Sequence, residues 1–434
     1  MNAREAAYVT LQRTFGSRSY SNIELDNAIK KYSLDGVERS FFTALYYGVI
    51  EKKLTLDYII SQFSERPIDE IDPNVLIVLE MGVYQLEFMD KIPESAAVNE
   101  SVNISRRFWQ KKNSDSFINA VLRSYLRGRD GIKYPSASTV RGLSVKYSMP
   151  EWICRLWQEQ YGRDAEALLD RMTCVPKMTL NVNTMRITRD ELLARLSDNG
   201  IAAEPSRLSS GGIRLRTALS YGELEKYSGL FFVQDEASQL VAQVLSPKPG
   251  DTVIDCCACP GGKSFAAAIC MNNKGRIYAF DLHGNKLSLI TNEAQYLGID
   301  IIETAVQNGT LTRAGMPSAD CVICDVPCSG LGVIAKKPDI RYKAYEDIAD
   351  LPSLQSRILD VNSQYVKNGG ALVYSTCTLR RAENAGVVET FLAEHGDFAL
   401  EPFAVGDVMT DGMTELRPDV HKTDGFFIAK LRRK

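Results

Sequence analysis

Apolar residues in the first 130 positions recur three and four apart, the spacing that lines one face of a helix. The runs Ala6-Ala7-Val9-Leu11, Phe41-Phe42-Ala44-Leu45-Val49 and Val75-Leu76-Leu79-Val83-Leu86 carry this pattern. Asp72-Pro73 places an N-cap and a first-turn proline ahead of the third run. Another amphipathic stretch covers 116–126 and stops near Gly128. Little here alternates with period two, so residues 1–130 are expected to form an all-α bundle.

Gly, Pro and Ser then interrupt the pattern over 131–138, and segments rich in Trp and Leu follow up to Met172. Residues 131–171 therefore read as a helical linker. Two short runs with strand character, 178–182 and 212–215, flank a helical one at 189–199, which predicts a small α+β domain over 172–230. From 231 to 434 the pattern switches back and forth. Strands are expected at 252–256, 276–280, 301–306, 321–324, 371–375 and 426–431, with helices at 262–271, 284–298, 351–367 and 380–395. Short apolar strands alternating with amphipathic helices indicate a doubly wound, largely parallel, Rossmann-like sheet buried on both faces. Such sheets bind ligands at the carboxyl ends of their strands.

Composition narrows the class. The 434 residues, 45% of them hydrophobic, suffice for several globular cores. There is no apolar run of about 18 residues, so no transmembrane helix is expected. Residues 1–13 lack the apolar centre of a signal peptide, and ten cysteines then point to reduced thiols in the cytoplasm. A net charge of −3 argues against bulk electrostatic binding of nucleic acid. Locally the balance differs. Between 101 and 150 lie Arg106, Arg107, Lys111, Lys112, Arg123, Arg127, Arg129, Lys133, Arg141 and Lys146, against only Asp115 and Asp130. Phe108 and Trp109 sit inside the first cluster, so the segment reads either as a solvated helix face or as a surface for phosphates and stacked bases.

The candidate chemistry falls at strand ends. Asp255-Cys256-Cys257-Ala258-Cys259-Pro260-Gly261-Gly262-Lys263 closes one strand and opens a helix. Backbone N–H groups exposed there can meet an anionic group, and Lys263 adds a cation. The spacing is neither a Walker A nor G-x-G-x-x-G. Asp281 ends the next strand, where an acid either accepts ribose hydroxyls or caps a helix. Asp325-Val326-Pro327-Cys328 and Ser375-Thr376-Cys377 close two further strands and bring a carboxylate and two thiols to the same edge. Thiols so placed suit covalent catalysis on an electrophilic ring carbon. Cys321 and Cys324 belong to a strand whose period points them to opposite faces, which argues against a metal site with Cys328. The three histidines are too scattered for a metal or a Cys–His pair, so no metal is expected.

Taken in order, Asp-x-Cys-x-x-Pro-Gly-Gly-Lys, Asp-x-Pro-Cys-Ser-Gly and Ser-Thr-Cys-Thr resemble the Sun/Fmu family of RNA cytosine-5 methyltransferases. Val233-Gln234-Asp235-Glu236-Ala237-Ser238 and Thr423-Asp424-Gly425-Phe426-Phe427 extend the likeness. The first 130 residues resemble the NusB-type RNA-binding domain of bacterial members. The resemblance implies S-adenosylmethionine as cofactor, held by Cys257, Ala258, Cys259, Pro260, Gly261, Gly262, Lys263, Asp281 and Asp325. It implies Cys377 as nucleophile, Cys328 for product release and Asp325 as the cytosine contact. Asn308 stands where the family has an aspartate near the adenine, and Cys259 where it has alanine. The implied substrate is small-subunit ribosomal RNA, unassembled or partly assembled, acted on by a monomer. A non-catalytic NusB-like RNA-binding or antitermination factor is the alternative, and both cysteines and the Gly-rich loop count against it.

Overall fold

The computed structural model describes every residue except 18, 19, 109–112, 218 and 220, and only the backbone of 17, 221 and 224. Its internal contacts separate two compact units, Met1–Cys174 with Ile334–Lys343, and Val175–Val333 with Ala344–Lys434.

Helices Ala3–Ser17, Ser21–Tyr32, Gly36–Ser61, Pro73–Phe88, Glu94–Phe108 and Ser114–Gly128 build most of the first unit. Val140–Tyr147, Glu151–Tyr161 and Ala165–Arg171 follow. The Asp72 side chain accepts the Asn74 N–H at 3.0 Å, with Pro73 in the first turn, so this helix starts where a free N–H is satisfied by its cap. Helix Gly36–Ser61 gives Phe42, Leu45, Tyr46, Val49, Ile50 and Ile59 to the core. Each buried side chain of this size contributes about 1.5–3 kcal/mol. Segment Ile334–Lys343 returns from far along the chain to complete this unit. Arg341, almost wholly buried, donates to the carbonyls of Glu51 (2.7 Å) and Ser148 (3.2 Å), and Tyr342 donates to that of Ile50 at 2.5 Å.

The second unit opens with a four-stranded antiparallel sheet. Its order is Ala203–Pro205, Gly212–Leu215, Thr179–Val182, Phe231–Val233. Helix Arg189–Asp198 starts at a reciprocal cap between Thr188 and Glu191. The two strands outside the sequence reading are three residues each, too short to show a period.

The larger sheet has eight strands, numbered here in chain order. They are β1 (Thr252–Asp255), β2 (Arg276–Asp281), β3 (Ile302–Val306), β4 (Ala319–Asp325), β5 (Val366–Thr376), β6 (Phe398–Leu400), β7 (Met413–Leu416) and β8 (Phe426–Arg433). The spatial order is β6-β8-β5-β4-β1-β2-β3, with β7 paired to β8. Strands β1 to β5 are mutually parallel, and β8 lies antiparallel between β5 and β6. Chain order reverses between β1 and β4, so their carboxyl ends flank the crevice where such sheets bind ligands. Helices Glu236–Leu245, Gly262–Cys270 and Leu287–Leu297 share one core with the sheet, and Leu351–Ser363 and Ala385–Glu394 share another. Cys321 packs in the first core and Cys324 in the second, as their period implied.

Three departures from the expected elements have local causes. Helix Glu236–Leu245 was not anticipated, although Asp235 caps it through the Ala237 N–H at 2.9 Å. The helix expected over 351–367 stops at Ser363, because β5 begins at Val366 opposite Ala319 and takes a register shift before Ala371 pairs Cys321. Gly369, at φ 74°, turns the chain there. The helix expected over 380–395 begins only at Ala385, since Glu383 and Asn384 turn their side chains inward. Among the described residues no helix is long and apolar enough to cross a membrane.

Candidate active site

The Gly-rich turn leaves β1 at Asp255 and enters the helix at Gly262. Gly261 has φ 112°, and a Cβ on it would lie 2.4 Å from the Phe265 ring, so only glycine fits. The Ala258 N–H donates to Phe280 O at 2.7 Å and thereby ties the turn to β2. The Asp281 carboxylate accepts the Cys259 N–H at 3.2 Å and the His283 N–H at 2.9 Å, so it braces the turn as well as ending β2. Val306, opposite Asp281 in the register, and Leu282 both expose apolar surface beside it. Asn308 commits its side-chain oxygen to the Thr310 N–H (3.0 Å) and hydroxyl (2.8 Å), which leaves its NH₂ as the group able to meet a ligand. Cys259 is pushed up to about 12 by burial and then by Asp281, and stays a neutral thiol.

Asp255 lies wholly buried beneath the turn, accepting the Ser264 hydroxyl at 2.7 Å. Burial raises its pKa to about 7, an effect that Ser264 only partly offsets. The folded state therefore binds the extra proton between about pH 4 and about pH 7, and stability falls as pH rises through that window. Asp255→Asn is expected to flatten the slope. Its Tm relative to the parent protein should rise by several degrees between about pH 4 and about pH 8. A Tm difference that does not change with pH would show that the carboxyl does not titrate there.

Lys263 points at the sheet edge. Its Nζ lies 2.6 Å from Asp325 Oδ2 and 3.0 Å from Ser238 Oγ, over the Phe426 ring at 5.4 Å. Burial pulls the Lys263 pKa down, but Asp325 outweighs it and holds the ammonium above its ordinary value, with Cys377 adding to the effect. Asp325 Oδ1 accepts the Ser375 hydroxyl at 2.7 Å. The carboxylate at the end of β4 is thus fixed from both sides. The thiols of Cys328 and Cys377 approach to 3.1 Å. Their loops are laced together: Ser329 Oγ meets Thr378 Oγ1 at 2.6 Å, and the Gly332 N–H donates to Cys377 O at 3.0 Å. A Cβ on Gly332 would fall 1.9 Å from Gly425 O, a reason for glycine in Thr423-Asp424-Gly425 to be matched by one after Cys328. The hydrogen bond to Cys377, then burial, then the nearby Glu383 and Asp325 charges hold the Cys328 thiol well above an ordinary cysteine.

The structure thus gathers Lys263, Asp325, Cys328 and Cys377, and keeps Asp281 and Asn308 on the neighbouring strand ends. Sequence reasoning assigned no role to Ser238 and Ser375, although both stand inside the motifs quoted for the resemblance. It passed over Gln355 and Glu383 entirely. Their only sequence signal is a polar residue on an otherwise apolar helix face or turn.

Three family models match the chain. They are the 16S rRNA methyltransferase RsmB/F model over residues 242–432, the NusB family over 1–127, and the ferredoxin-like domain of RsmF/B-like methyltransferases over 149–221. The chain is 38% identical to the "Probable ribosomal RNA small subunit methyltransferase B" of Bacillus subtilis, across all of this chain and 99% of that one. It is 35% identical to its namesake from Synechocystis, across the whole of both chains. Among solved structures, one described as PH0851 aligns with a TM-score of 0.84 at 25% identity, covering all of this chain and 99% of that one. A methyltransferase homologue from Pyrococcus horikoshii aligns with a TM-score of 0.59 at 28% identity, over 69% of this chain and all of that one. With its site geometry and this full-length likeness, the chain belongs to the RsmB/F family of small-subunit ribosomal RNA methyltransferases.

Proposed function

We propose that this protein methylates carbon 5 of a cytosine in small-subunit ribosomal RNA through a covalent adduct between Cys377 and carbon 6 of the ring. The observation that carries the reading is the pair of thiols 3.1 Å apart beside the Lys263–Asp325 ion pair, at the switch point of the sheet.

The residues around the Gly-rich turn fit S-adenosylmethionine. Gly261 and Gly262 leave a cradle that a Cβ would crowd, Asp281 offers a carboxylate for ribose hydroxyls, and Leu282 and Val306 offer apolar faces for an adenine. When bound, this cofactor supplies the methyl group. The chain's own residues do the rest. Lys263, the nearby cation, stabilises Cys377 as thiolate, and Cys377 adds to carbon 6 of the ring. Asp325 hydrogen-bonds the ring-nitrogen edge and helps to protonate it as the adduct forms, so carbon 5 becomes nucleophilic. Bond formation at Cys377 removes the largest influence holding Cys328 protonated. Cys328 then gives its own proton to water, and the resulting thiolate takes the carbon 5 proton. The ring-nitrogen proton leaves by the Asp325 edge, the carbon 5–carbon 6 double bond returns and Cys377 leaves as thiolate. The cytosine must be unpaired or extruded for its face to be reached. The test is transfer of labelled methyl groups to small-subunit RNA, with the product digested to nucleosides. 5-Methylcytidine is expected, and label in any other nucleoside would overturn the reading.

The basic stretch divides. Arg106 pairs with Asp115, Arg107 with Glu5, Arg129 with Glu94 and Lys146 with Glu166. Lys111, Lys112 and Trp109 lie outside the described residues. Arg127, Lys133 and Arg141 are exposed and, among the described residues, have no carboxylate partner, so they are the stronger candidates for phosphate contact. Changing these three to Glu should weaken RNA binding by about tenfold or more and flatten its salt dependence, with cofactor affinity unchanged. Unaltered RNA affinity would discard this surface.

A further inference from the structure

Glu383 is wholly buried, an expensive place for a carboxylate unless it organises its surroundings. Its Oε2 accepts the Ser329 N–H at 2.8 Å and the Gln355 side-chain NH₂ at 2.9 Å. The same Gln355 nitrogen donates to Pro327 O at 2.9 Å. The backbone groups immediately before and after Cys328 are therefore both tied, directly or through one amide, to a single carboxylate oxygen. The other oxygen, Oε1, makes no hydrogen bond, and Arg380 stands 3.5 Å from it. The Glu383 carbonyl is held in turn by the Tyr374 hydroxyl at 2.6 Å. Tyr374 belongs to β5, which ends one residue before Cys377. One buried residue thus links the loop of the first thiol to the strand that carries the second.

We propose that Glu383 is a positioning residue that, through the Ser329 amide and Gln355, holds the Cys328 thiol against Cys377 for the release step. The proposal rests on the covalent reading given above. Loss of the anchor should affect addition of Cys377 to the ring less than release, because the Glu383 side-chain hydrogen bonds run to Ser329 and Gln355 on the Cys328 side, and toward the segment after Cys377 it makes only the longer 3.5 Å contact with Arg380. It should slow removal of the carbon 5 proton, because that step needs Cys328 placed to within a fraction of an ångström.

The experiment follows the formation and decay of the protein–RNA adduct on denaturing gels in single-turnover reactions. In Glu383→Ala the adduct is expected to persist about tenfold longer or more, with its rate of formation within about threefold of the parent protein. Glu383→Gln keeps an oxygen for both donors and should restore most of the release rate, whereas Glu383→Met, which fills similar space without a carboxylate oxygen, should not. Gln355→Leu removes the bridge to Pro327 without stranding Arg380 and should reproduce the slow release even where Glu383→Ala does not fold. Equal losses in formation and release, or release at the parent rate in both Glu383→Ala and Gln355→Leu, would overturn the assignment. Cys328→Ala, run alongside, separates the two ideas. If it traps an adduct while the anchor variants release normally, only the positioning role fails; if it traps none, the covalent reading fails and takes the positioning role with it.

Discussion

Cys328→Ala is expected to accumulate a covalent protein–RNA adduct that survives denaturing electrophoresis, whereas Cys377→Ala should form none and transfer no methyl group. The asymmetry follows from what surrounds each sulfur. Cys377 interacts electrostatically with the Lys263 ammonium, the cation that the proposed mechanism uses to activate it. Cys328 is hydrogen-bonded to Cys377, partly buried, and near the Glu383 and Asp325 carboxylates, all of which raise its pKa and favour the neutral thiol. Without Cys328 the addition proceeds and the carbon 5 proton has no acceptor, so the bond to Cys377 cannot be eliminated. Turnover should fall by about three orders of magnitude or more in both variants, but only one leaves a trapped species. The opposite result, an adduct with Cys377→Ala alone, would assign the nucleophile to Cys328. Absence of adduct and of methylation in every form, the parent protein included, would remove covalent catalysis from this site.

Asp325→Asn should cost methyl transfer about 10²–10⁴-fold while leaving the fold intact. The replacement is nearly isosteric and can still accept the Ser375 hydroxyl now held at 2.7 Å. What it loses is the charge. Lys263, 2.6 Å from Asp325 Oδ2, would face a neutral amide and lose the partner that keeps it above its ordinary pKa against burial. On the proposed mechanism two losses then coincide: the group that handles the proton on the ring-nitrogen edge, and the ion pair that holds Lys263 at the end of β4. Single-turnover kinetics should show slow adduct formation, in contrast to the slow release expected of the Glu383 variants. A variant with unaltered chemistry but lower RNA affinity would make Asp325 a binding group only.

Much of this site was legible because its residues close strands. Asp281, Asp325 and Cys377 each follow an apolar run that packs a sheet, and a parallel sheet brings all such ends to one edge. Gly261 could be read as well, since a turn with φ 112° tolerates no other residue. What escaped was the pairing across that edge. Lys263, beside a cradle for an anion, looked like a cofactor contact, and nothing local to it shows that Asp325, 62 positions on, takes its charge. Glu383 and Gln355 were hidden for a related reason. A polar residue within a helical pattern ordinarily faces water, and only the packing of helix Leu351–Ser363 under β4 and β5 turns Gln355 inward. The short strands of the four-stranded sheet and helix Glu236–Leu245 were lost to length and to a cap read only as part of a motif.

The return of Ile334–Lys343 into the helical unit sets a timetable for synthesis. Arg341 and Tyr342 cap carbonyls of Glu51, Ile50 and Ser148, and the Tyr342 ring packs edge-on against Phe15 at 6.3 Å. A nascent chain that has released its first 174 residues therefore lacks the piece that closes their core, and must carry an unfinished domain while roughly as many residues again are made. The helical domain begins to emerge ahead of the larger sheet and is completed only after β4, by the stretch that begins six residues beyond Cys328.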